Sequence, residues 1–211
     1  MKNNKGFTLI ELLALITIMG ILMMVAIPTV SRTIENARKD TFLDLAKQYS
    51  NAVKNLWYAD GFECGGYPSS AVQTGTYMVQ IDTASTSTPQ LLESGGKSPW
   101  GNRDIKGLVV VAVFINDNTR DIRFFPSFVD GIHGINVDPS RNTMGTVRIA
   151  ESLKRGHIIM SGATYSIFMQ SDNTTFRGLN FTADLNNDGD RVDIIDGVNE
   201  SSGATVVCVE R

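Results

Sequence analysis

The stretch KGFTLIELLALITIMG, residues 5–20, combines a long apolar run with one carboxylate, Glu11. The run continues to Ile27, and Glu11 is the only charged residue between Phe7 and Ile27. A helix of that length is about 31 Å long, which is close to the hydrocarbon thickness of a bilayer. A carboxylate at the centre of a membrane-spanning helix costs roughly 2.5–3.5 kcal/mol. The sequence therefore predicts a membrane-spanning helix in which Glu11 needs a partner.

The residues before this run indicate an orientation and a cleavage site. Lys2 and Lys5 form a short basic flank, which favours a cytoplasmic amino terminus. A secretory signal peptide has a similar start, but it usually ends in a small-x-small cleavage site, and this run ends in VAIPTVSRT. The small residue at the charge boundary is Gly6, on the amino-terminal side of the run. A protease that cuts after Gly6 would remove the basic leader and keep the apolar helix.

The segment KGFTLIELL resembles the amino-terminal signature of type IV pilins and of the related pseudopilins of type II secretion and competence systems. The shared features are the basic leader, Gly6, Phe7, Glu11 and the apolar run, followed by Pro28. The resemblance implies that a prepilin peptidase cleaves between Gly6 and Phe7, and that the new terminal Phe7 is N-methylated. It also implies an α+β fold of pilin type. In that fold, the hydrophobic half of a long amino-terminal helix protrudes, and its amphipathic half packs on a globular head with an antiparallel β-sheet.

Cleavage after Gly6 would supply a partner for Glu11. The new amine at Phe7 places a positive charge in the apolar layer, and Glu11 lies four residues further along. In a staggered polymer, Glu11 would pair with the amine of a neighbouring subunit. Removing one member of such a buried pair leaves the other charge unpaired, typically at a cost of several kcal/mol, so the pair would set the register of the subunits. The alternative is an ordinary signal anchor that tolerates Glu11 near the interface.

The rest of the chain divides into a second helical segment and a β-rich head. Pro28 predicts a kink or local melting near Ile27. Beyond it, apolar residues such as Val30 and Ile34 recur at three- and four-residue steps, until glycines from Gly61 onward end the helix. The predicted organisation is a leader at 1–6, a hydrophobic helix at 7–27, an amphipathic helix packed on the head at 28–60, and the head at 61–211.

Within the head, runs of β-branched residues predict strands. The clearest run extends from Leu108 to Ile115, and RDIRFFPSF is its predicted hairpin partner. The other predicted elements are strands at 76–81 and 204–210, a helical turn at 89–93, a short helix at 147–155, and a strand pair or one bent strand within 157–170.

The segment DLNNDGDRVDIIDG, residues 184–197, is the best candidate for a metal site. Its D-x-N-x-D-G start is typical of an EF-hand-type calcium loop, which supplies oxygen ligands. The twelfth position is Ile195 instead of a bidentate Glu, so Asp193 or Asp196 would have to replace it. A hairpin turn that needs no metal is the alternative. The candidate calcium ligands are Asp184, Asn186, Asp188, Asp190 and Asp193; no other cofactor is indicated, and none is required.

Cys64 and Cys208 are the two cysteines of the chain, too few for a disulfide scaffold and without CxxC spacing. A disulfide between them would join the last strand to the region just after the long helix. It would close a very long loop, and the chain-entropy model gives such a bridge about 4 kcal/mol. An extracytoplasmic head favours the disulfide, and two buried free thiols are the alternative.

Composition and motifs indicate no catalytic or nucleic-acid-binding function. The chain is 42% hydrophobic and 19% charged, with a net charge of -3, so no basic field indicates a nucleic-acid partner. His133 and His157 lie far apart, and GGKSPWGN lacks the glycine spacing of a phosphate-binding loop. We therefore predict that the protein is not an enzyme.

These features predict a structural subunit, a major or minor pilin, of a type IV pilus that serves adhesion, motility or surface display. The resemblance implies a single-pass protein of the bacterial cytoplasmic membrane that later enters an extracellular surface filament. Its implied partners are other pilin subunits, the prepilin peptidase, the inner-membrane assembly platform and the assembly ATPase. The alternative is a pseudopilin of a type II secretion or competence (DNA-uptake) system. An anchored extracellular enzyme is a third hypothesis, which no site supports.

Overall fold

The structure is a computed structural model that describes residues 7–86, 90–93, 95–116, 119–171, 176–177, 182–183, 194–195, 198–199 and 206–211. The chain divides into two compact units, one that ends at Lys39 and one that runs from Asp40 to Arg211. The helix α1, Leu9–Tyr58, begins in the first unit and ends in the second.

Pro28 lies inside α1, and the helix is continuous on both sides of it. Because Pro28 has no amide hydrogen, the backbone loses one i→i−4 hydrogen bond at this turn. Thr29, the residue after Pro28, donates from its hydroxyl to the carbonyl of Val25 at 3.2 Å. The predicted local melting near Ile27 therefore does not occur, and the predicted kink stays a prediction.

Burial along α1 begins at Phe42. The buried residues recur at three- and four-residue steps, which forms one stripe on the helix. They are Phe42, Leu43, Leu45, Ala46, Tyr49, Ser50, Val53 and Trp57. Val30 and Ile34, which the sequence pattern places on the same stripe, are 54% and 48% exposed. The buried residues of α1 therefore all lie in the second unit, and the division of the chain at residue 28 stays a prediction.

A Schellman motif ends α1 at the position that the glycines indicate. Asp60 has a positive φ of 56°, and the amide of Gly61 donates to the carbonyl of Leu56 at 2.8 Å. The amide of Asp60 donates to the carbonyl of Trp57 at 3.4 Å. These two bonds satisfy carbonyls that would otherwise lack a donor at the helix end.

The described strands are short except for three long ones in the centre of the head. In chain order they are β1 Phe62–Cys64, β2 Tyr67–Pro68, β3 Gly75–Asp82, β4 Lys106–Asn116, β5 Thr119–Val129, β6 Gly134–Ile135, β7 Val137–Asp138, β8 Thr143–Met144, β9 Thr146–Val147, β10 Ile158–Ile159, β11 Thr182–Ala183, β12 Ile194–Ile195, β13 Val198–Asn199 and β14 Val206–Glu210.

Eight of the described strands form one sheet, in the order β10-β6-β5-β4-β3-β14-β1-β2. The hairpin of β4 and β5 is confirmed, and β3 pairs antiparallel with β4. The carboxyl-terminal strand β14 lies between β3, to which it is parallel, and β1, to which it is antiparallel. The predicted fold is confirmed: a long apolar helix and a mostly antiparallel multi-strand sheet form an α+β, pilin-like chain.

Both faces of β4 are buried, which explains its uninterrupted apolar sequence. Val109, Val111 and Val113 belong to the same core cluster as the buried stripe of α1. Leu108, Val110, Ala112 and Phe114 alternate with them and belong to a second cluster, formed with residues of the 137–169 segment. The sheet is therefore the middle of three layers.

The prediction of a short helix at 147–155 is wrong. This segment contains the end of β9, a 3₁₀ turn at Ala150–Ser152, and the start of another at Arg155–His157. Val147 packs in the cluster on one face of the sheet, whereas Leu153 packs in the cluster on the other face. A single helical stripe cannot reach both clusters, so tertiary packing overrides the helical pattern.

Two further local predictions are also wrong. Within 157–170, only β10 is a regular strand; Gly162, with a φ of +78°, turns the chain, and a 3₁₀ turn follows at Tyr165–Ile167. This course buries Ile167, Phe168 and Met169 in the second cluster. In the predicted helical turn at 89–93, the described residues 90–93 are not helical.

The contact between α1 and the sheet gives a test of the core. The ring of Phe42 is fully buried and lies edge-on to those of Phe128 and Trp100, with ring centroids 5.0 and 5.2 Å away. We expect Phe42→Ala to lower the free energy of unfolding by about 3–5 kcal/mol. Chemical denaturation of the detergent-solubilised chain, followed by tryptophan fluorescence, measures this loss. The control Tyr67→Ala removes a 63% exposed ring and should cost about 0.5 kcal/mol or less.

Candidate functional site

A capping box begins α1 and contains Glu11. The amide and the hydroxyl of Thr8 donate to Glu11 Oε2 at 2.8 and 2.9 Å, and the amide of Glu11 donates to Thr8 Oγ1 at 3.3 Å. Thr8 is therefore the N-cap, and Glu11 is the N3 residue of a T-x-x-E motif. Sequence analysis missed this role, although Thr8-Leu-Ile-Glu11 before an apolar run carries the signal. Within one subunit, the Glu11 carboxylate already has two donors.

The segment after the capping box exposes a continuous apolar surface. Every residue from Phe7 to Ile34 is exposed, including Phe7 at 84% and Leu9 at 86%. Among the described residues, α1 is the helix long and apolar enough to cross a membrane, and none of its most apolar window is buried. An apolar helix that served as a core element would instead be buried. Because exposed apolar area costs roughly 25 cal/mol per Å² in water, this segment requires lipid or other protein chains around it.

The structure joins Cys64 and Cys208 in a disulfide, as the sequence analysis favoured. The two residues lie directly opposite each other on β1 and β14, with their Cα atoms 4.2 Å apart, and each is 2% exposed. The bond joins two neighbouring strands and closes a loop with a sequence separation of 144. It holds the carboxyl-terminal strand in the sheet next to the strand that follows α1.

Removing this disulfide tests its contribution to stability. We expect the double variant Cys64→Ala, Cys208→Ala to lose about 4–5 kcal/mol of unfolding free energy, because its unfolded chain is no longer cross-linked. Chemical denaturation measures the loss, and the reduced parent protein should unfold at nearly the same denaturant concentration as the variant. Two titratable thiols in the denatured, non-reduced parent would contradict the disulfide.

The five predicted calcium ligands, Asp184, Asn186, Asp188, Asp190 and Asp193, lie outside the described residues, so calcium binding stays a prediction. In the described ranges, no group of three or more His, Cys, Asp or Glu side chains could hold a metal ion.

A buried polar cluster that sequence analysis missed contains His133. Ser98 Oγ donates to Asp130 Oδ2 at 2.5 Å, and His133 Nδ1 lies 2.9 Å from the same carboxylate oxygen. The ring of Trp100 stacks on that of His133, with the centroids 4.0 Å apart. Because the serine hydroxyl donates to the aspartate and not to the histidine, the cluster is not a serine–histidine nucleophile pair. It connects the 98–100 turn to the β5–β6 connection.

Asp130 is ionised in this cluster despite its burial. Burial raises the pKa of its carboxyl, but hydrogen bonds from Ser98, His133 and Ile132 lower that pKa by a larger amount. The net shift of the pKa is therefore downward. Lys97, which precedes Ser98 in GGKSPWGN, is paired with Asp104. Ser98 and Lys97 therefore both have structural partners in the head, so they are not available as the ligands of a phosphate-binding loop.

Comparison with known proteins finds a match to a family model at the amino-terminal end of the chain. Residues 1–27 match the family model described as the prokaryotic N-terminal methylation motif. The chain is also 28% identical over 110 residues to the fimbrial protein EcpC of Eikenella corrodens, an alignment that covers 49% of this chain and 70% of that protein. No solved structure matches the chain. The resemblance of KGFTLIELL is therefore confirmed, and the alignment with the fimbrial protein is longer than the motif.

Proposed function

We propose that this chain is a subunit of a type IV pilus, a pilin that polymerises through its amino-terminal helix into a surface filament. The observation that carries the proposal is the exposed apolar surface from Phe7 to Ile27 in a segment that matches the methylation motif. The similarity to a fimbrial protein supports a filament role. The head would face outward and serve adhesion, motility or display.

The apolar segment would work in two environments in turn. Before assembly, it would span the cytoplasmic membrane once, because its length and composition suit a bilayer. After assembly, the same side chains would pack against the helices of other subunits, so the apolar surface stays out of water in both states. Transfer between the two would require the assembly platform and its ATPase.

Processing would create the positive charge that Glu11 pairs with. Cleavage by the prepilin peptidase after Gly6 would leave the amine of Phe7, which is then N-methylated and remains cationic. The capping box restricts which atom of Glu11 can take part in this pair, because Oε2 already accepts from Thr8 of the same subunit. The second carboxylate oxygen would then accept from the amine of a neighbouring subunit, so that capping and pairing occur together.

The mature amino terminus tests the proposed function directly. In the native host, we expect the protein to begin at Phe7 and to carry one methyl group on its amine, as measured by mass spectrometry of the amino-terminal peptide. A Gly6→Leu variant should keep its leader and should not enter filaments, because a bulky side chain would occupy the cleavage position. A mature parent chain that still begins at Met1 would refute the assignment.

Glu11 substitutions separate capping from pairing. Glutamine at position 11 keeps an oxygen for the Thr8 donors but loses the charge, whereas alanine loses both. If pairing sets the register, Glu11→Gln and Glu11→Ala should both reduce the yield of sheared filaments more than about tenfold, since an unpaired buried amine costs several kcal/mol. Both variants should still be processed.

The matched control is Thr8→Val. It removes the capping hydroxyl but keeps the Glu11 charge, so it should cost about 1 kcal/mol of helix stability and leave filaments in place. Filaments are counted by electron microscopy and by immunoblotting of the sheared fraction. Normal filaments from Glu11→Gln would mean that Glu11 acts only as a capping residue.

A pseudopilin of a type II secretion or competence system is the competing function, because pseudopilins share the amino-terminal signature. The similarity to a fimbrial protein favours the pilus. Long surface filaments at native expression levels support the pilus, whereas a secretion or DNA-uptake defect on deletion without surface filaments supports the pseudopilin.

A further inference from the structure

A cleft with a mixed polar and apolar lining and a volume of about 440 Å³ lies in the part of the head that covers the second sheet face. Its walls come from three separate stretches of the chain, at the start of β7, around β9, and at the 3₁₀ turn Arg155–His157. The residues that matter for binding are Asn136, Asp138, Thr146, Arg148, Gly156 and His157. The proposed filament role uses none of them.

The backbone of Arg148 is held in place by the side chain of Asn136. Asn136 Nδ2 donates to the carbonyl of Arg148 at 2.9 Å, and the amide of Arg148 donates to Asn136 Oδ1 at 3.1 Å. Asn136 is itself 4% exposed and has a positive φ of 54°, a conformation that asparagine tolerates better than most residues. The hydroxyl of Ser127 donates to its carbonyl at 2.8 Å. Arg148 is therefore presented from a fixed backbone position.

Arg148 lines the cleft, and no described carboxylate forms an ion pair with it. The residue is half-buried, and within the described ranges it takes part in no ion pair. A half-buried cation that forms no ion pair with the described residues favours an incoming anion, because the guanidinium fork matches carboxylate and phosphate geometry.

His157 adds a second donor beside Arg148. Its Nδ1 accepts from the amide of Lys154 at 3.1 Å, which places the ring hydrogen of the neutral tautomer on Nε2. Burial, and then the charges of Arg148 and Lys154, lower the pKa of His157. Because Arg148 and His157 line the same cleft, an anion bound there would interact with both side chains.

The other side of the cleft carries acceptors. Asp138 lines it, and its Oδ1 accepts from the amide of Ser140 at 3.0 Å. The hydroxyl of Thr146 and the apolar side chains of Val137 and Ile159 complete this side. Asp138 forms no ion pair with Arg148, but its charge at the same cleft disfavours an extended polyanion, which agrees with the net charge of -3. Oδ2 of Asp138 lies 3.6 Å from Arg141 Nε and keeps a second lone pair that can accept from a ligand hydroxyl.

We propose that this cleft binds a small hydroxyl-bearing acid, the size of an acidic monosaccharide. The acid group, a carboxylate or a phosphate, pairs with Arg148 and accepts from Nε2 of His157. The hydroxyl groups of the ligand donate to Asp138 and contact Thr146. This inference does not depend on polymerisation, because every residue involved lies in the head.

The test uses the full chain, solubilised in a polyoxyethylene detergent that contains no sugar. Saturation-transfer difference NMR titrations with glucuronate, glucose 6-phosphate and neutral glucose separate the two acid groups and the neutral sugar. We expect at least one acid to bind about tenfold more tightly than glucose, as a charge-assisted contact provides. Binding of glucuronate alone identifies a sugar carboxylate as the ligand class, and binding of glucose 6-phosphate alone identifies a sugar phosphate.

Three variants decide whether the binding is at this cleft. Arg148→Gln should weaken acid binding about tenfold, and Gly156→Trp should abolish it by filling the cleft. A Cβ at Gly156 meets no atom within 4 Å, so the backbone there has space for a side chain. An unchanged melting temperature would show that the variant keeps its fold. The control Lys54→Gln removes one exposed positive charge from α1 and should leave binding unchanged.

Three outcomes would overturn the proposal. The first is that neither acid binds more tightly than glucose. The second is that Arg148→Gln and Lys54→Gln weaken acid binding equally, since that result indicates attraction by overall charge alone. The third is undiminished binding by a folded Gly156→Trp variant, which would also decide the matter if Arg148→Gln failed to fold.

Discussion

The head depends on the burial of both faces of β4. One face packs against the stripe of α1 that begins at Phe42, and the other packs against the segment from β7 to the 3₁₀ turn at Tyr165–Ile167. The neighbours of β4 in the sheet, β3 and β5, are the other long strands. The longest hydrogen-bonded strand pairs therefore lie where the sheet is buried on both faces. The parts of the head that differ from the sequence predictions are arranged around this strand.

The same helix that covers β4 also contains the exposed apolar segment, so the two parts of α1 are stabilised by different interactions. Between Phe42 and Trp57, burial against the sheet stabilises it. From Phe7 to Ile34, nothing in the described chain covers it, and the capping box of Thr8 and Glu11 begins it. A bilayer or a bundle of neighbouring helices would supply the rest. Glu11 therefore has a local role that is visible in one chain and a proposed role that requires a second chain.

Sequence patterns were reliable where one local signal determined the structure. The β-branched run around Leu108 could only be a buried strand, the glycines after Tyr58 ended the helix, and the amino-terminal signature matched the methylation motif. Patterns were unreliable at 147–155, where Val147 and Leu153 fit a helix but pack on opposite faces of the sheet. Tertiary packing outweighs helix propensity in such a segment, because propensities differ by only a few tenths of a kcal/mol per residue.

The sequence by itself determined the elements that need only neighbouring residues: the apolar helix, its carboxyl-terminal end and the long strands. It also carries the T-x-x-E signal of the capping box, although only the structure revealed that role. Only the tertiary structure decided which distant residues meet. It brought Cys64 opposite Cys208 on adjacent strands, and it placed Arg148 and His157 at one cleft with Asn136 as the support. Local conformation follows from short-range sterics and hydrogen bonding. The cysteine contact instead depends on strand pairing between distant segments, and the cleft depends on the layer that covers one face of β4.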